Sequence, residues 1–160
     1  PEPLEAYMRA CGTIIAAEGY ATYRHLVDDD ASGLAPPIRT RFKAARAIGA
    51  ADYIATLKAR SRAIAAFLAA MDRCDAIILP TTPFPAIALA EVDEGQTPMG
   101  LYTRFVNYVD LAGLAVPIGV AGSGMPTSLQ ILVRRFDDPL ALRIGRALEV
   151  ARGTFPTAPA

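Results

Sequence analysis

The first half of the chain carries apolar side chains at helical spacing, interrupted by one long polar break. Apolar residues recur every three or four positions over about 4–23, which predicts a helix with one buried face. The acidic, glycine-containing run at 28–33 and the Pro-Pro pair that follows it predict a loop. A short helix is predicted over about 38–48. An alanine-rich helix with an apolar face is predicted over about 51–73.

The middle of the chain changes from helical spacing to short apolar runs and prolines. A continuous apolar run at 76–79 predicts a strand that is buried on both faces. Three prolines within 80–85 exclude regular structure there, because proline lacks an N–H donor and fixes φ. A second polar loop is predicted over 91–98, followed by a helix over about 100–111.

The last third of the chain predicts a hairpin and a closing helix. Apolar runs at 116–121 and 128–134 flank a Gly-Ser-Gly turn, which is typical of a β-hairpin. Asp138 is predicted to cap the closing helix and Pro139 to occupy its first position, since both residue types favour those places. Gly153 is predicted to end it.

This order of elements predicts an α/β fold in which helices cover a sheet. Strands that are apolar on both faces need further strands beside them, and only three are predicted here. The chain also begins with a proline and not with a methionine. Residues 1–160 are therefore interpreted as one portion of a single larger domain, truncated at its N-terminal side.

The composition is that of a globular protein, because 52% of the residues are hydrophobic and 20% are charged. The 16 basic and 16 acidic residues cancel, so no net field attracts a polyanion. Neither nucleic acid nor a membrane is an expected partner. No run approaches the roughly 18 apolar residues that a membrane-spanning helix needs.

The thiols and the single histidine do not predict a metal site. Cys11, Cys74 and His25 cannot supply the four ligands of a typical zinc site. Each cysteine is predicted to be a small buried side chain. Two unpaired thiols favour a reducing, cytoplasmic location.

No serine has a plausible base beside it in sequence. Ser32 and Ser123 lie in turn-like segments, and Ser128 begins a predicted strand. Ser61 follows a lysine by three residues on a helix, where the backbone N–H groups are already bonded and cannot form an oxyanion hole. His25 is interpreted as a surface or packing residue. Nucleophile-elbow, phosphate-loop and dinucleotide motifs do not occur, so no catalytic residue is assigned.

An ordered series of short motifs resembles the C-terminal end of the amidase-signature family. Members of that family end with a strand running into Pro-Thr-x-Pro, a variable loop, a helix, a strand ending Pro-x-Gly, a hairpin and a final helix. The matching stretches are Asp75–Pro83, Asn107–Leu114, Val116–Gly119 and Gly124–Ile131, with the closing helix from Asp138. Similar upstream helical residues are Glu18, His25, Ala51–Tyr53 and Arg60.

Two details of the resemblance concern single positions. Ser128 stands where the family usually has glycine, a change expected to affect packing or a close approach more than chemistry. The amino-acid sequence from Tyr102 to Ala115 is similar to that of the family branch that contains allophanate hydrolase. The resemblance implies the C-terminal part of an α/β/α fold with a mixed sheet, and no cofactor.

The resemblance also implies a reaction and places its machinery outside this chain. Family members hydrolyse small amide carbon–nitrogen bonds through a serine acyl-enzyme, using a Ser–cis-Ser–Lys triad in a Gly/Ser-rich segment. That segment is absent, and neither Lys43 nor Lys58 lies in the family's lysine motif. The chain alone is expected to be inactive. The alternatives are an amidase-type subunit of a tRNA-dependent amidotransferase complex and a non-catalytic packing fragment, and a homo-oligomer is possible.

Five residues are predicted to form a wall of the substrate pocket. Thr81 and Thr82 follow the buried strand, where sites in α/β proteins gather. Tyr102, Thr103 and Asn107 follow the variable loop. The expected partners are a small-molecule amide and the missing N-terminal part of the domain. Ordinary turn and helix roles are the alternative interpretation of each residue.

Overall fold

The computed structural model describes residues 2–93 and 99–155, which form five α-helices and three strands. The predicted polar loop at 91–98 lies partly outside the described residues. In chain order the elements are α1 (Leu4–Val27), α2 (Pro36–Lys43), α3 (Ala50–Ala70), β1 (Ile77–Pro80), α4 (Leu101–Tyr108), β2 (Ala112–Val120), β3 (Pro126–Val133) and α5 (Asp138–Arg152).

The sheet has the order β1-β3-β2, and both strand pairs are antiparallel. The turn between β2 and β3 is closed by a bond from the Ala121 N–H to the Met125 carbonyl at 2.8 Å, so the predicted hairpin is confirmed. The parallel pairing that a mixed sheet requires is not among these three strands. In the centre of β3, Gln130 lies between Leu79 of β1 and Ala115 of β2.

Alternate side chains of β3 enter two separate hydrophobic clusters. Leu132 packs into a cluster with residues of α1, α3 and α4, whereas Ile131 and Val133 pack against α5. Successive strand residues point to opposite faces, so helices cover the sheet on both sides. This three-layer arrangement confirms the predicted α/β fold class.

Strand β1 corrects one expectation. The apolar run predicted a strand buried on both faces, yet Ile78 is 48% exposed and β1 is an edge strand of the described sheet. Ile77 and Leu79 pack against the helical cluster on one face. On the other face α5 packs on β2 and β3, which leaves the side chain of Ile78 uncovered.

Several element ends also differ from the predictions. Pro36 and Pro37 do not extend the loop but begin α2, because proline is compatible with the first turn of a helix. Helix α1 continues past the predicted end to Val27, with non-helical dihedral angles at Tyr23. Helix α5 begins at Asp138 with Asp137 at the N-cap position, so the predicted cap is wrong by one residue.

Helix α4 ends three residues earlier than predicted, and β2 begins four residues earlier. A tight reversal separates the two elements, with Asp110 at φ 60°. The predicted end of α5 is confirmed, since Gly153 follows its last residue at φ 76°, a conformation that favours glycine.

Arginine side chains bind the carbonyl groups at three helix ends. Arg39 donates to the carbonyl of Val27, the last residue of α1, at 2.7 Å. Arg60 donates to the Tyr108 carbonyl at the end of α4 at 2.8 Å. Arg134 donates to the carbonyl of Met71, just after α3, at 2.7 Å. The last carbonyls of a helix lack partners within it, so a cation there supplies donors and offsets the helix dipole.

The two cysteines differ in environment, which corrects the prediction that both are buried. Cys11 is 8% exposed, but Cys74 is exposed. Burial raises the pKa of the Cys11 thiol, against the opposing charges of Arg104 and Arg60. The thiolate is the reactive form, so both burial and the raised pKa protect Cys11.

We expect the two thiols to react with an aromatic disulfide reagent in separate phases. Cys74 should react at once, and Cys11 on the order of 100-fold more slowly, because its reaction requires local opening. Released thiolate is followed by absorbance with and without denaturant. Cys74→Ser should remove the fast phase alone. Equal rates in the native protein would contradict the burial of Cys11.

Candidate active-site wall

A concave site of about 230 Å³ lies where β1 ends, between α4 and β2. Three of its lining residues were predicted from sequence, and they come from two segments that are distant in the chain. The lining residues are Thr81, Thr103, Val106, Asn107, Leu111, Gly113, Ala115 and Gln130.

Thr81 is held by two hydrogen bonds to the neighbouring strand. Its backbone N–H donates to the Ser128 carbonyl at 3.1 Å, which continues the β1–β3 pairing by one residue. The Ser128 hydroxyl donates to the Thr81 hydroxyl oxygen at 2.8 Å. These bonds fix both the backbone and the side chain of Thr81 at the cavity.

Gln130 is the buried polar residue of the described core, with 4% of its surface exposed. Its side-chain amide nitrogen donates to the Pro80 carbonyl at 3.3 Å and to the Tyr102 carbonyl. The two carbonyls belong to the end of β1 and the first turn of α4. Gln130 therefore links the two segments that carry the predicted site residues.

Sequence reasoning missed Gln130 as a site residue, although it lies within a motif that carries the family resemblance. The available signal was a glutamine inside the otherwise apolar run Leu129–Val133. A buried amide must find hydrogen-bond partners, so its position in that run pointed to polar backbone nearby.

Helix α4 supplies the opposite wall. Thr103 and Asn107 are one turn apart and so lie on the same helix face. The Thr103 hydroxyl is within 3.5 Å of the Gly100 carbonyl, and the Asn107 side chain is exposed. The end of the helix is fixed from behind, where Arg60 donates to the Asn107 carbonyl at 3.3 Å as well as to Tyr108.

Thr82 and Tyr102, the other two predicted residues, do not line this cavity. The Thr82 hydroxyl donates to the Phe84 carbonyl at 2.9 Å, a local bond that shapes the proline-rich turn. Tyr102 contributes its backbone carbonyl to the bond from Gln130. Both side chains are half-buried.

None of the four serines of the described chain contacts a side chain that could act as its base. Ser32 donates to the Leu26 carbonyl at 2.7 Å, and Ser61 to the Leu57 carbonyl at 3.3 Å within α3. Ser128 donates to a threonine, and Ser123 lies exposed in the hairpin turn. A serine nucleophile needs a base within hydrogen-bond reach, and the contacts of these four serines include no histidine or lysine.

A second, larger cavity of about 410 Å³ lies between α1 and α3. Alanines of both helices form most of its wall, together with Tyr7 and Tyr108, and Arg62 and Glu2 also line it. No predicted site residue lines it. Its volume reflects small side chains between two helices, and the smaller cavity is the better candidate on chemical grounds.

Within residues 2–93 and 99–155, no group of three or more His, Cys, Asp or Glu side chains is placed to hold a metal ion. None of the helices in the same ranges is both long and apolar enough to cross a membrane.

The order of helices and strands fits the family suggested by the sequence motifs. The family model described as Amidase matches residues 7–142, which is most of the chain. The chain belongs to the amidase family. The match begins within α1 and ends within α5, so it includes the buried residues of both hydrophobic clusters.

Curated relatives match over shorter stretches. The glutamyl-tRNA(Gln) amidotransferase subunit of Acidobacterium capsulatum is 41% identical over 86 residues, covering 52% of this chain and 18% of that protein. The chain spans about a fifth of the length of the curated relatives that it matches.

Solved structures share the fold over nearly the whole chain. Allophanate hydrolase of Kluyveromyces lactis superposes with a TM-score of 0.82 at 25% identity, covering 94% of this chain and 26% of that one. The glutamyl-tRNA(Gln) amidotransferase subunit of Thermotoga maritima gives a TM-score of 0.68 at 25% identity, covering 94% of this chain and 35% of that one. The backbone is thus similar to members that differ in reaction.

Proposed function

We propose that this chain is the C-terminal portion of an amidase domain that hydrolyses a small amide carbon–nitrogen bond through a serine acyl-enzyme. In this proposal the Ser–cis-Ser–Lys triad lies upstream, and residues 1–160 supply one wall of the substrate pocket. The observation that carries the proposal is the cavity at the end of β1, where Thr81, Thr103 and Asn107 meet without a nucleophile.

The arrangement of the cavity supports a binding role. Its polar groups come from α4, from β3 and from Thr81, which directly follows β1, and hydrogen bonds of Gln130 and Ser128 link these segments. Rigid elements hold binding groups more precisely than loops do. A pocket with a few fixed polar groups among apolar ones is typical of small-molecule sites.

The decisive experiment measures ammonia release from a panel of small amides. The 160-residue chain is compared with the protein translated from its full reading frame. We expect activity in the longer protein alone, and its loss when the serine of the Gly/Ser-rich segment is changed to alanine. Activity of the short chain by itself would overturn the proposal.

The wall role has its own prediction within the longer protein. Asn107→Ala should lower kcat/KM for the best amide by roughly tenfold, since one hydrogen bond to the substrate is lost. Thr82→Ala serves as the matched control, because its hydroxyl is used by the Phe84 carbonyl outside the cavity. Unchanged kcat/KM and substrate preference in Asn107→Ala would contradict the assignment.

A second candidate function is that of the amidase-type component of an amidotransferase, which passes ammonia to a partner. The curated relatives favour it, because several at 34–41% identity are glutamyl-tRNA(Gln) amidotransferase subunits. A stable co-purifying partner, and ammonia release that depends on it, would support this function. Autonomous hydrolysis of small amides by the isolated longer protein would favour the hydrolase. If neither the 160-residue chain nor the longer protein releases ammonia and no partner co-purifies, a non-catalytic packing fragment is favoured.

A further inference from the structure

The cavity beside β1 is lined by uncharged groups only. Its polar lining consists of two threonine hydroxyls and two side-chain amides, and the remaining lining residues are apolar. The charged side chains near the adjoining end of α4 pair with one another or bind backbone carbonyls, and they do not line the cavity. Asp110 pairs with Arg135 at 2.8 Å and lies 3.9 Å from Arg60, and Arg60 also donates to carbonyls at the end of α4.

The hydrogen bonds assign donor and acceptor roles inside the cavity. The Thr81 hydroxyl oxygen accepts from Ser128, so its own proton remains available to a bound molecule. The nitrogen of the Gln130 amide is used by two backbone carbonyls, which leaves its oxygen as an acceptor. The exposed Asn107 side chain makes no hydrogen bond within the described chain, so it offers both a donor and an acceptor.

We infer that Ser128 is a positioning residue, which holds the Thr81 hydroxyl as a donor in a subsite for an uncharged carbonyl-and-N–H group. A primary amide or ureide end matches this set, because it presents one acceptor beside its donors. A carboxylate lacks the donors that the Gln130 and Asn107 oxygens would accept. An ammonium lacks the acceptor for Thr81, and no anion in the lining compensates its charge. The inference rests on the proposed function for the site's role, but its test does not depend on hydrolysis.

The test is a ligand-observed saturation-transfer NMR titration with three probes of similar size: propionamide, propionate and propylammonium. It is run on the 160-residue chain and on the protein translated from the full reading frame, so that the site is tested in its complete domain. We expect propionamide to bind and the two ions to bind at least about tenfold more weakly, since their unmatched polar groups would be desolvated.

Variants separate the positioning role from folding. Thr81→Val should weaken propionamide binding by roughly tenfold, and Ser128→Ala by about fivefold, through the lost donor and its lost orientation respectively. Thr81→Ser and Ser128→Thr keep the hydroxyls and should recover most of the binding that Thr81→Val and Ser128→Ala lose. Thermal unfolding of each variant shows whether the fold is retained.

Two results would overturn the inference. One is propionate binding as tightly as propionamide. The other is full binding by a folded Ser128→Ala variant. Hydrolysis of amides by the longer protein together with either result would refute this subsite and leave the proposed function standing. Selective propionamide binding without amide hydrolysis by the longer protein would support the subsite and count against the proposed function.

Discussion

Arg39→Met is expected to destabilise the chain by about 2 kcal/mol, a fall in Tm of roughly 4–8 °C for a domain of this size. The Arg39 guanidinium donates to the Leu26 and Val27 carbonyls, to the Asp29 carbonyl at 2.8 Å and to the Ser32 hydroxyl at 3.0 Å. Its side chain is 13% exposed. Methionine fills similar space but supplies none of these donors, and of the three carbonyls only that of Leu26 keeps a side-chain bond, from the Ser32 hydroxyl.

The arrangement of donors, and not the charge alone, should decide this effect. Arg39→Lys keeps the charge but replaces a planar fork with one ammonium group, so it should recover less than half of the lost stability. Arg46→Met is the matched control. Arg46 pairs with Asp28 at 2.6 Å on the surface of the same region, and exposed pairs contribute little. Equal Tm changes for Arg39→Met and Arg46→Met, measured by calorimetry, would contradict the role of Arg39.

Local patterns predicted most helices and the hairpin because the information for them lies within a few residues. The amphipathic spacing before Tyr23 and the Gly-Ser-Gly turn depend only on near neighbours in the chain. The exposure of Ile78 depends on where α5 packs, and α5 begins only at Asp138. The local apolar run was enough to predict the strand. Its burial was predicted wrongly, because no local pattern shows where α5 packs.

The candidate site was predicted in part for the same reason. Position after a strand singled out Thr81, and position after the variable loop singled out Thr103 and Asn107. The groups that join these segments act across 47 residues from Ser128 to Thr81 and 28 residues from Gln130 to Tyr102. Such long-range bonds are visible only once the β1–β3 register is known.

The arginines at helix ends were equally invisible to local reasoning. Arg60 lies in a segment that resembles the family, but the resemblance implies no role for it. The carbonyls that it binds lie 47 and 48 residues away in the sequence. A basic residue on a predicted helix is usually solvated, so its sequence context gives no reason to expect a cap on another helix. The tertiary structure therefore assigns the function of these charges.

At Gln130, exchange of one side-chain atom should have a large effect on the free energy of unfolding. Gln130→Glu changes the shape of the side chain very little but replaces the amide donor with a carboxylate oxygen. That oxygen would face the Pro80 and Tyr102 carbonyls within a buried environment. We expect a loss of about 3 kcal/mol or more at pH 7, measured by urea unfolding, because three acceptors would meet without a donor.

Gln130→Leu separates the loss of the donor from the introduction of charge. It should cost about 2 kcal/mol, since two carbonyls lose a partner but no charge is buried. Leu132→Met, an apolar exchange at a fully buried neighbour on β3, should cost less than about 1.5 kcal/mol and controls for packing. Protonation restores one donor to the glutamate, so the gap between the Glu and Leu variants should narrow as the pH falls. A glutamate variant as stable as the leucine variant at pH 7 would mean that Gln130 does not bridge the two carbonyls, and that β1 and α4 are held together by packing alone.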